Sequence, residues 1–572
     1  MNEFQPKLVL DSRINDISDK IDVAVESSAA QSTYQSFPAV NSSNNSMTFN
    51  VNIPSENIAV DRRVLLKSNV FFTVYIDDEV PVGSTAFKWG ITDGLGQFPL
   101  NSLFSQVQAT INNVSVSTPL EDIMAPLLRL SDQTEVSKMN KTTASYMDQN
   151  YSNIAEFQKT FSLANNPIAG LSSVDYDSVI QPNGVLYPYR INTYQYDSSG
   201  ALVSNSPISL DVTNTFKIEV SITLVEPFLF LSPFSGLVKS KNEAAFLGIN
   251  NMNIVANINS SNMWKFFKTT VSNPTRTSVV LGFDGGVGFG SPELLLNLMT
   301  LQPEQYNRIN TRNVLHIQDY PRFVSSSSSP LVVGGTSTYN FPVIQLNQIP
   351  DTLLIFIRSP ASEINLFATR NTKLTSYATI NDVSISFNNQ SGILASCSQE
   401  ELYNLSQANG SKQSYGDFKG TATANITSVV KDSTGYFLGF EEVSTEYNTQ
   451  GSILVVKQAY NFNLPSYLSA GSLGQFGLQV QLGATNNTGL TMGNPELVVI
   501  AVNSGLMVTQ QGSSSLYSGL LTKNMVLETK QKQPVMDSST YSSLTGGSVQ
   551  ESCNTGHFEK CSRNTSEVKG LE

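Results

Sequence analysis

The chain says the same thing twice. In its first half, alternating Val107, Ala109 and Ile111 run into Asn112-Asn113, then Val114-Ser-Val116, then Thr118-Pro119-Leu120-Glu121 opening a helix. In its second half, Val383, Ile385 and Phe387 run into Asn388-Asn389-Gln390-Ser391-Gly392, then Ile393-Leu394, then Ser398-Gln399-Glu400-Glu401. Alternation at period two sets one face of a strand against a core and the other toward water. Asn and Gly tolerate positive φ and suit the reversal that follows. Thr118 and Ser398 can accept from an unpaired helix-start N–H, with Glu121 and Glu401 at the reciprocal capping-box positions and Pro119 at the first helical position. Two boxes in matching context point to duplication, so the chain should fold as two copies of one β-rich unit.

Flanking segments echo the same repeat. Met47, Phe49, Val51 and Ile53 alternate before Pro54, and a long apolar run, Arg63 to Ile76, follows. The second half answers with Tyr339, Phe341 and Val343, then Thr352 to Arg358. The closing strands match best: Gly290-Ser-Pro-Glu-Leu-Leu-Leu-Asn-Leu-Met299 parallels Gly493-Asn-Pro-Glu-Leu-Val-Val-Ile-Ala-Val502. Phe476-x-Leu478-x-Val480-x-Leu482 has two candidate partners, Phe216-x-Ile218-x-Val220-x-Ile222-x-Leu224 and Met252 to Ile258. The first choice requires a large insertion in the first half, and both remain open.

At 572 residues the chain is too long for one ordinary core and comfortable for two all-β units. Only 14% of residues are charged, and strong helix patterns are few, which predicts an all-β fold with polar loops. The expected organisation is a polar arm over 1–45 and a first unit with long inserted loops over 46–305. A linker over 306–335, rich in Ser325 to Ser329, leads to a second unit over 336–525 and a mobile tail over 526–572. The arm carries a weak periodicity, Leu8, Leu10, Ile14, Ile17 and Ile21, and reads as an ordered or frayed terminus.

The formal net charge of −12 lacks the clustered Lys and Arg that gripping nucleic acid needs. No run approaches a membrane span, and Met1-Asn2-Glu3-Phe4 lacks signal-peptide features, so export by that route is not expected. Three cysteines, Cys397, Cys553 and Cys561, are too few for a disulfide scaffold and suggest a reducing compartment.

Catalytic chemistry is scarce. Only two histidines occur, His316 and His557, too few for a His triad or multi-His metal site within either unit. Cys553-x3-His557-x3-Cys561 offers three soft ligands, but its spacing matches no strong zinc pattern and it reads as incidental residues in the tail. Gly285-Gly-Val-Gly-Phe-Gly290 lacks both the GK[ST] ending and the GxGxxG spacing of phosphate loops, so it reads as a turn before the closing strand. Trp89 and Trp264 suit a core or interface better than sugar stacking. No catalytic, cofactor-binding or metal residue is assigned, and an enzyme is not expected. A carboxylate-dyad glycosidase remains as a remote alternative.

The order of strands, with Phe98-Pro-Leu-Asn-Ser-Leu-Phe-Ser-Gln-Val-Gln-Ala-Thr-Ile-Asn-Asn113 and Phe216 to Phe234, resembles the first jelly roll of double-jelly-roll major capsid proteins. Leu497 to Val508 resembles the final strand of the second. The family includes capsid proteins of adenoviruses, tectiviruses, iridoviruses, virophages and Polinton-like elements. Virophage and Polinton-like proteins are nearest in length and loop character. The resemblance covers about Met47 to Leu520 and rests on strand order and duplication, without a diagnostic motif.

The resemblance implies two tandem eight-stranded jelly-roll sandwiches standing upright, with a few short helices in loops. Three chains would form a pseudo-hexagonal capsomer, and many such trimers would tile an icosahedral shell around a DNA genome. Expected partners are further copies of the chain, penton or minor capsid proteins, and an internal lipid membrane in some relatives. No sequence-specific nucleic-acid binding is implied. The protein would be assembled inside the host cell and reside in the virion. Ser131 to Pro207 is the candidate outer tower or inter-subunit loop. Alternatives are a spike or minor capsid protein, or a β-sandwich glycan-binding protein.

Overall fold

The computed structural model describes residues 30–131 and 191–532, apart from 56–57, 77–86, 89–92, 96–97, 205–208, 211–215, 235–244, 270–275, 302–311, 361–362, 364–375, 432–436, 511 and 520. The predicted alternation forms strands where it is densest. In Ser46–Asn52, Met47, Phe49 and Val51 are buried while Asn50 and Asn52 are exposed. In Leu65–Ile76, Leu66, Val70, Phe72, Val74 and Ile76 are buried.

Two sandwiches result, and the strand pairs that build them are antiparallel. In the first, one sheet runs Asn41–Ser42, Ser46–Asn52, Asn251–Ile258, Phe104–Ile111, Val114–Thr118. The opposing sheet runs Ala30–Pro38, Phe289–Leu301, Leu65–Ile76, Lys217–Pro227, Ile191–Tyr196, Leu202–Ser204, with Ile58–Val60 and Arg276–Leu281 pairing alongside. In the second, one sheet runs Thr336–Asn340, Leu473–Thr485, Thr379–Phe387, Gln390–Ile393, with Ile344–Gln348 also on Leu473–Thr485. Its opposing sheet runs Arg312–Asp319, Glu496–Gln510, Thr352–Arg358, Leu454–Val456, with Arg322–Ser326 and Ser513–Ser518 on the long closing strand.

The duplication therefore holds at the level of pairing, and it chooses between the two candidate partners. Leu473–Thr485 lies between an opening strand and Thr379–Phe387. Asn251–Ile258 lies between Ser46–Asn52 and Phe104–Ile111. The counterpart of the Phe476 strand is thus Met252 to Ile258. The Phe216 run instead forms Lys217–Pro227 beside Leu65–Ile76, where the second half has the short Leu454–Val456 beside Thr352–Arg358.

The Asn reversals are equivalent in detail. Asn112 and Asn388 adopt φ of 54° and 52°. Asn112 Oδ1 accepts from Asn250 N at 2.9 Å, and Asn388 Oδ1 accepts from Gly477 N at 2.8 Å. Each side chain ties its turn to the neighbouring strand, a role that Gly could not fill.

The helix starts differ. Ser398 caps Gln399–Ala408: Glu401 N donates to Ser398 Oγ and Ser398 N donates to Glu401 Oε2 at 2.7 Å, completing the box. The first helix, Leu120–Leu130, begins one residue late, with Pro119 at the cap and no side-chain cap bond. Thr118 is instead the last residue of Val114–Thr118, and its hydroxyl turns to Phe230 O. Strand pairing has taken the residue that the capping pattern assigned to the helix.

Two polar stretches expected as arm and linker carry strands. Ala30–Pro38 pairs with Phe289–Leu301, while Arg312–Asp319 and Arg322–Ser326 pair with Glu496–Gln510. Both lead into their sandwich along the closing strand, so the repeat begins earlier than expected. In the first, residues 31–36 are exposed, so backbone bonding carries it and no burial alternation marks it in sequence. The helix Lys523–Lys532 runs from the end of the expected second unit into the region expected as tail. Of the candidate tower, Ile191–Tyr196 and Leu202–Ser204 extend the larger sheet. Residues 132–190, the Leu8–Ile21 periodicity, Trp89 and the Cys553, His557, Cys561 cluster lie outside the described residues.

Candidate assembly surfaces

The first surface to explain is internal. Leu353 to Ile357, the interior of the strand Thr352–Arg358, form an unbroken apolar run because both faces are covered. Leu353, Ile355 and Ile357 join the core of the second sandwich. Leu354 and Phe356, with Ile453, Val455, Val498 and Ile500, point the other way and merge with the core of the first. Each such side chain contributes about 1.5–3 kcal/mol when fully buried, so this face binds the sandwiches tightly. Met124, Leu127 and Leu130 of Leu120–Leu130 pack against the same cluster.

Polar bonds fix the register of the seam. Thr509 Oγ1 donates to Leu247 O at 2.8 Å, Gly512 N to Gly248 O at 3.0 Å, and Asn313 Nδ2 to Ala245 O at 2.6 Å. Asn112 Nδ2 donates to Ser514 Oγ at 2.9 Å, so the first Asn reversal serves the junction as well as its own turn. Buried Asp122, from the first sandwich, meets Arg358 Nη2 at 2.6 Å and also pairs with Arg322, both from the second. Arg358 Nε reaches Glu496 Oε2 at 3.1 Å. Leaving Asp122 unpaired there would be costly, so this pairing is specific. Sequence reasoning passed over Asp122; the signal lay in an arginine closing an otherwise apolar strand.

The outward surfaces are of another kind. On the Ser46–Asn52 sheet, Asn50, Asn52, Asn251 and Asn253 form a ladder, with Asn251 Nδ2 donating to Asn52 Oδ1 at 3.0 Å and Asn253 Nδ2 bonded to Asn50 Oδ1. The equivalent face of the second sandwich exposes Gln475, Gln479, Gln481 and Gln345. These faces carry hydrogen-bonding groups and little charge, which lets like surfaces approach without repulsion.

One carboxyl is deeply buried. Glu226, 1% exposed, accepts from Leu100 N and Asn101 N, both at 3.0 Å, and from Asn101 Nδ2 at 2.9 Å. Burial pushes its pKa up to about 7 despite those three donors, which favour the anion. It pins the start of the short helix Pro99–Leu103 through the Leu100 and Asn101 N–H groups.

The residues singled out in sequence do not converge. Trp264 is buried in the short helix Met263–Phe266 and fills core. His316 lies exposed on Arg312–Asp319. The Gly285–Gly290 turn is held from its side by Asn44, which donates to Gly286 O at 3.0 Å and accepts from Gly288 N at 2.7 Å. Cys397 is a free thiol. Among the described residues no group of three potential metal ligands occurs, and no helix is long and apolar enough to cross a membrane.

Residues 2–299 match the family model for the Sputnik virophage major capsid protein first domain, and residues 320–505 that for the major capsid protein V20 C-terminal domain. The chain belongs to the Sputnik virophage major capsid protein family. The putative capsid protein V20 of Sputnik virophage is 24% identical over 511 residues, spanning 87% of this chain and 77% of that protein. A chain of the Sputnik virophage structure solved by cryo-EM superimposes with a TM-score of 0.74 at 20% identity, covering 95% of this chain and 98% of the other. The mavirus major capsid protein crystal structure gives 0.65 at 15% identity, covering 94% and 100%. The fold is thus the double jelly roll, and the protein is a structural component of the virion capsid rather than an enzyme.

Proposed function

We propose that this capsid protein works as a homotrimer whose six jelly rolls make a pseudo-hexagonal capsomer, and that such trimers tile an icosahedral shell around a DNA genome. The carrying observation is the duplicated pairing order: each chain supplies two like sandwiches locked side by side, so three chains supply a near-sixfold ring. Head-to-tail contacts of this type close into rings when the rotation between units fits. Uncharged polar outer sheets and the scarcity of charge suit contacts between like capsomers. Penton or minor capsid proteins, and a lipid layer inside the shell, are the further partners in this reading. The acidic balance of the chain favours a shell that encloses the genome without gripping it by sequence.

The test is the mass of the purified protein by light scattering on a sizing column, with negative-stain imaging of the peak. The expected result is a stable species at three times 62.3 kDa with a hexagonal outline. A protein that stays monomeric at high concentration overturns the reading, and an elongated particle points to a spike.

A further inference from the structure

The junction inside the chain uses two surfaces, and each has a counterpart on the other jelly roll that the described residues leave exposed. On the receiving side, Phe356 pairs in register with Val498 and Arg358 with Glu496. On the first jelly roll the same register sets Leu65 opposite Leu295 and Lys67 opposite Glu293. Glu293 and Glu496 each follow the proline of the repeated Pro-Glu-Leu, so the positions correspond. Lys67 Nζ holds Glu293 at 2.5 Å as Arg358 holds Glu496, yet the Lys67 side chain is 43% exposed where that of Arg358 is 23% exposed. Leu65, Leu295 and Met299, the counterparts of Phe356, Val498 and Val502, are only half-buried.

On the inserting side, Asp122 is the third residue of Leu120–Leu130 and brings a carboxylate to Arg358. Its counterpart helix, Gln399–Ala408, carries Glu400 and Glu401 in the same first turn. Glu401 is committed to the capping box, whereas Glu400 is exposed and, among the described residues, accepts from the Tyr415 hydroxyl at 3.3 Å. One exposed surface is thus apolar around a lysine, and the other offers a carboxylate at a helix start, matching the sense of the internal pair.

We propose that the first jelly roll receives the helix Gln399–Ala408 of a second copy of this chain, with Glu400 meeting Lys67 as Asp122 meets Arg358 within the chain. The inference rests on the trimer reading and specifies its contact. It makes the six contacts of the ring alternate between one internal junction and one junction between copies, built on the same plan. The junction between copies is less apolar, as suits a surface that stays in water until assembly.

The experiment compares wild type, Glu400→Lys, Lys67→Glu and the double reversal by light scattering over a dilution series, with circular dichroism to monitor folding. Like charges set against each other in an interface weaken it, so each single reversal should shift the trimer midpoint at least roughly tenfold upward. The double reversal should recover most of the loss. Should Lys67→Glu misfold beside Glu293, the exposed Glu400→Lys decides alone. A wild-type monomer overturns the trimer reading itself. A wild-type trimer whose midpoint Glu400→Lys leaves unchanged overturns this contact and leaves the trimer standing.

Discussion

Arg358 Nη2 lies 2.6 Å from Asp122 Oδ1, joining the second jelly roll to the first through a carboxylate that is almost wholly buried. The same guanidinium spans to Glu496, so one planar donor set ties a helix start to the Pro-Glu-Leu closing strand.

Asp122→Ala removes the carboxylate shared by Arg322 and Arg358 and leaves Arg358 with Glu496 alone. Breaking a buried pair costs about 3–5 kcal/mol; because Arg322 and Arg358 keep some access to water, about 2–3 kcal/mol is expected here. Differential scanning calorimetry should show an unfolding transition several degrees lower than wild type. An unchanged midpoint would show that apolar packing alone carries the junction.

Glu226 gives a pH dependence with a definite sign. An ordinary glutamate carboxyl, as in the unfolded chain, titrates at 4.5 and this one at about 7 when folded, so between these values the folded chain retains a proton that the unfolded chain has released. Its contribution to stability is therefore fullest below about 4.5, declines as pH rises toward 7 and is level above, by at most about 3 kcal/mol. Denaturant titrations across this range should show a flatter profile for Glu226→Gln, which cannot ionise. A profile with the wild-type slope would remove Glu226 as its source.

The two helix starts predict opposite sensitivities. Ser398→Ala removes a working cap and should cost about 1 kcal/mol, read as faster amide exchange in the first turn of Gln399–Ala408. Thr118→Ala should leave exchange at the start of Leu120–Leu130 near wild type, because no side chain caps that helix. Equal acceleration in both would contradict the assigned caps.

Gly451 sits at φ +88°, and an added Cβ would collide with the Tyr377 carbonyl oxygen and carbon. Since the obstacle is backbone, Gly451→Ala must move a strand end rather than a rotamer. Expression should yield little soluble protein, or protein unfolding at least about 1–3 kcal/mol more readily in urea. A soluble variant of wild-type stability would refute this packing.

The sequence was most legible where physics is local. Period-two burial located the Met47 and Leu66 strands, and positive φ at Asn112 and Asn388 was implied by residue type. Legibility failed where a distant partner decides the outcome. Gln31 to Ser36 are exposed, so it is chiefly backbone pairing with the closing strand, helped by Ser32 Oγ donating to Asn297 Oδ1 at 2.7 Å, that makes them a strand. Thr118 satisfies both a capping pattern and a strand end, and the pairing of Val107 with Thr118 settles the contest. Asp122 looks like an ordinary first-turn acid until Arg358, far along the chain, is brought to it. The correspondence of Lys67 with Arg358 needs the register of two sheets, which no composition or spacing reveals.

A sheet clothed on both faces also constrains inheritance. Leu354, Phe356, Val498 and Ile500 are hidden only because the neighbouring jelly roll covers them. A genetic exchange that swapped one half of the gene for a distant relative's would strip that cover or seat a mismatched one, baring a sticky plane to every other chain in the host cell. The two halves are copies of each other in plan, yet each lineage must pass them on together.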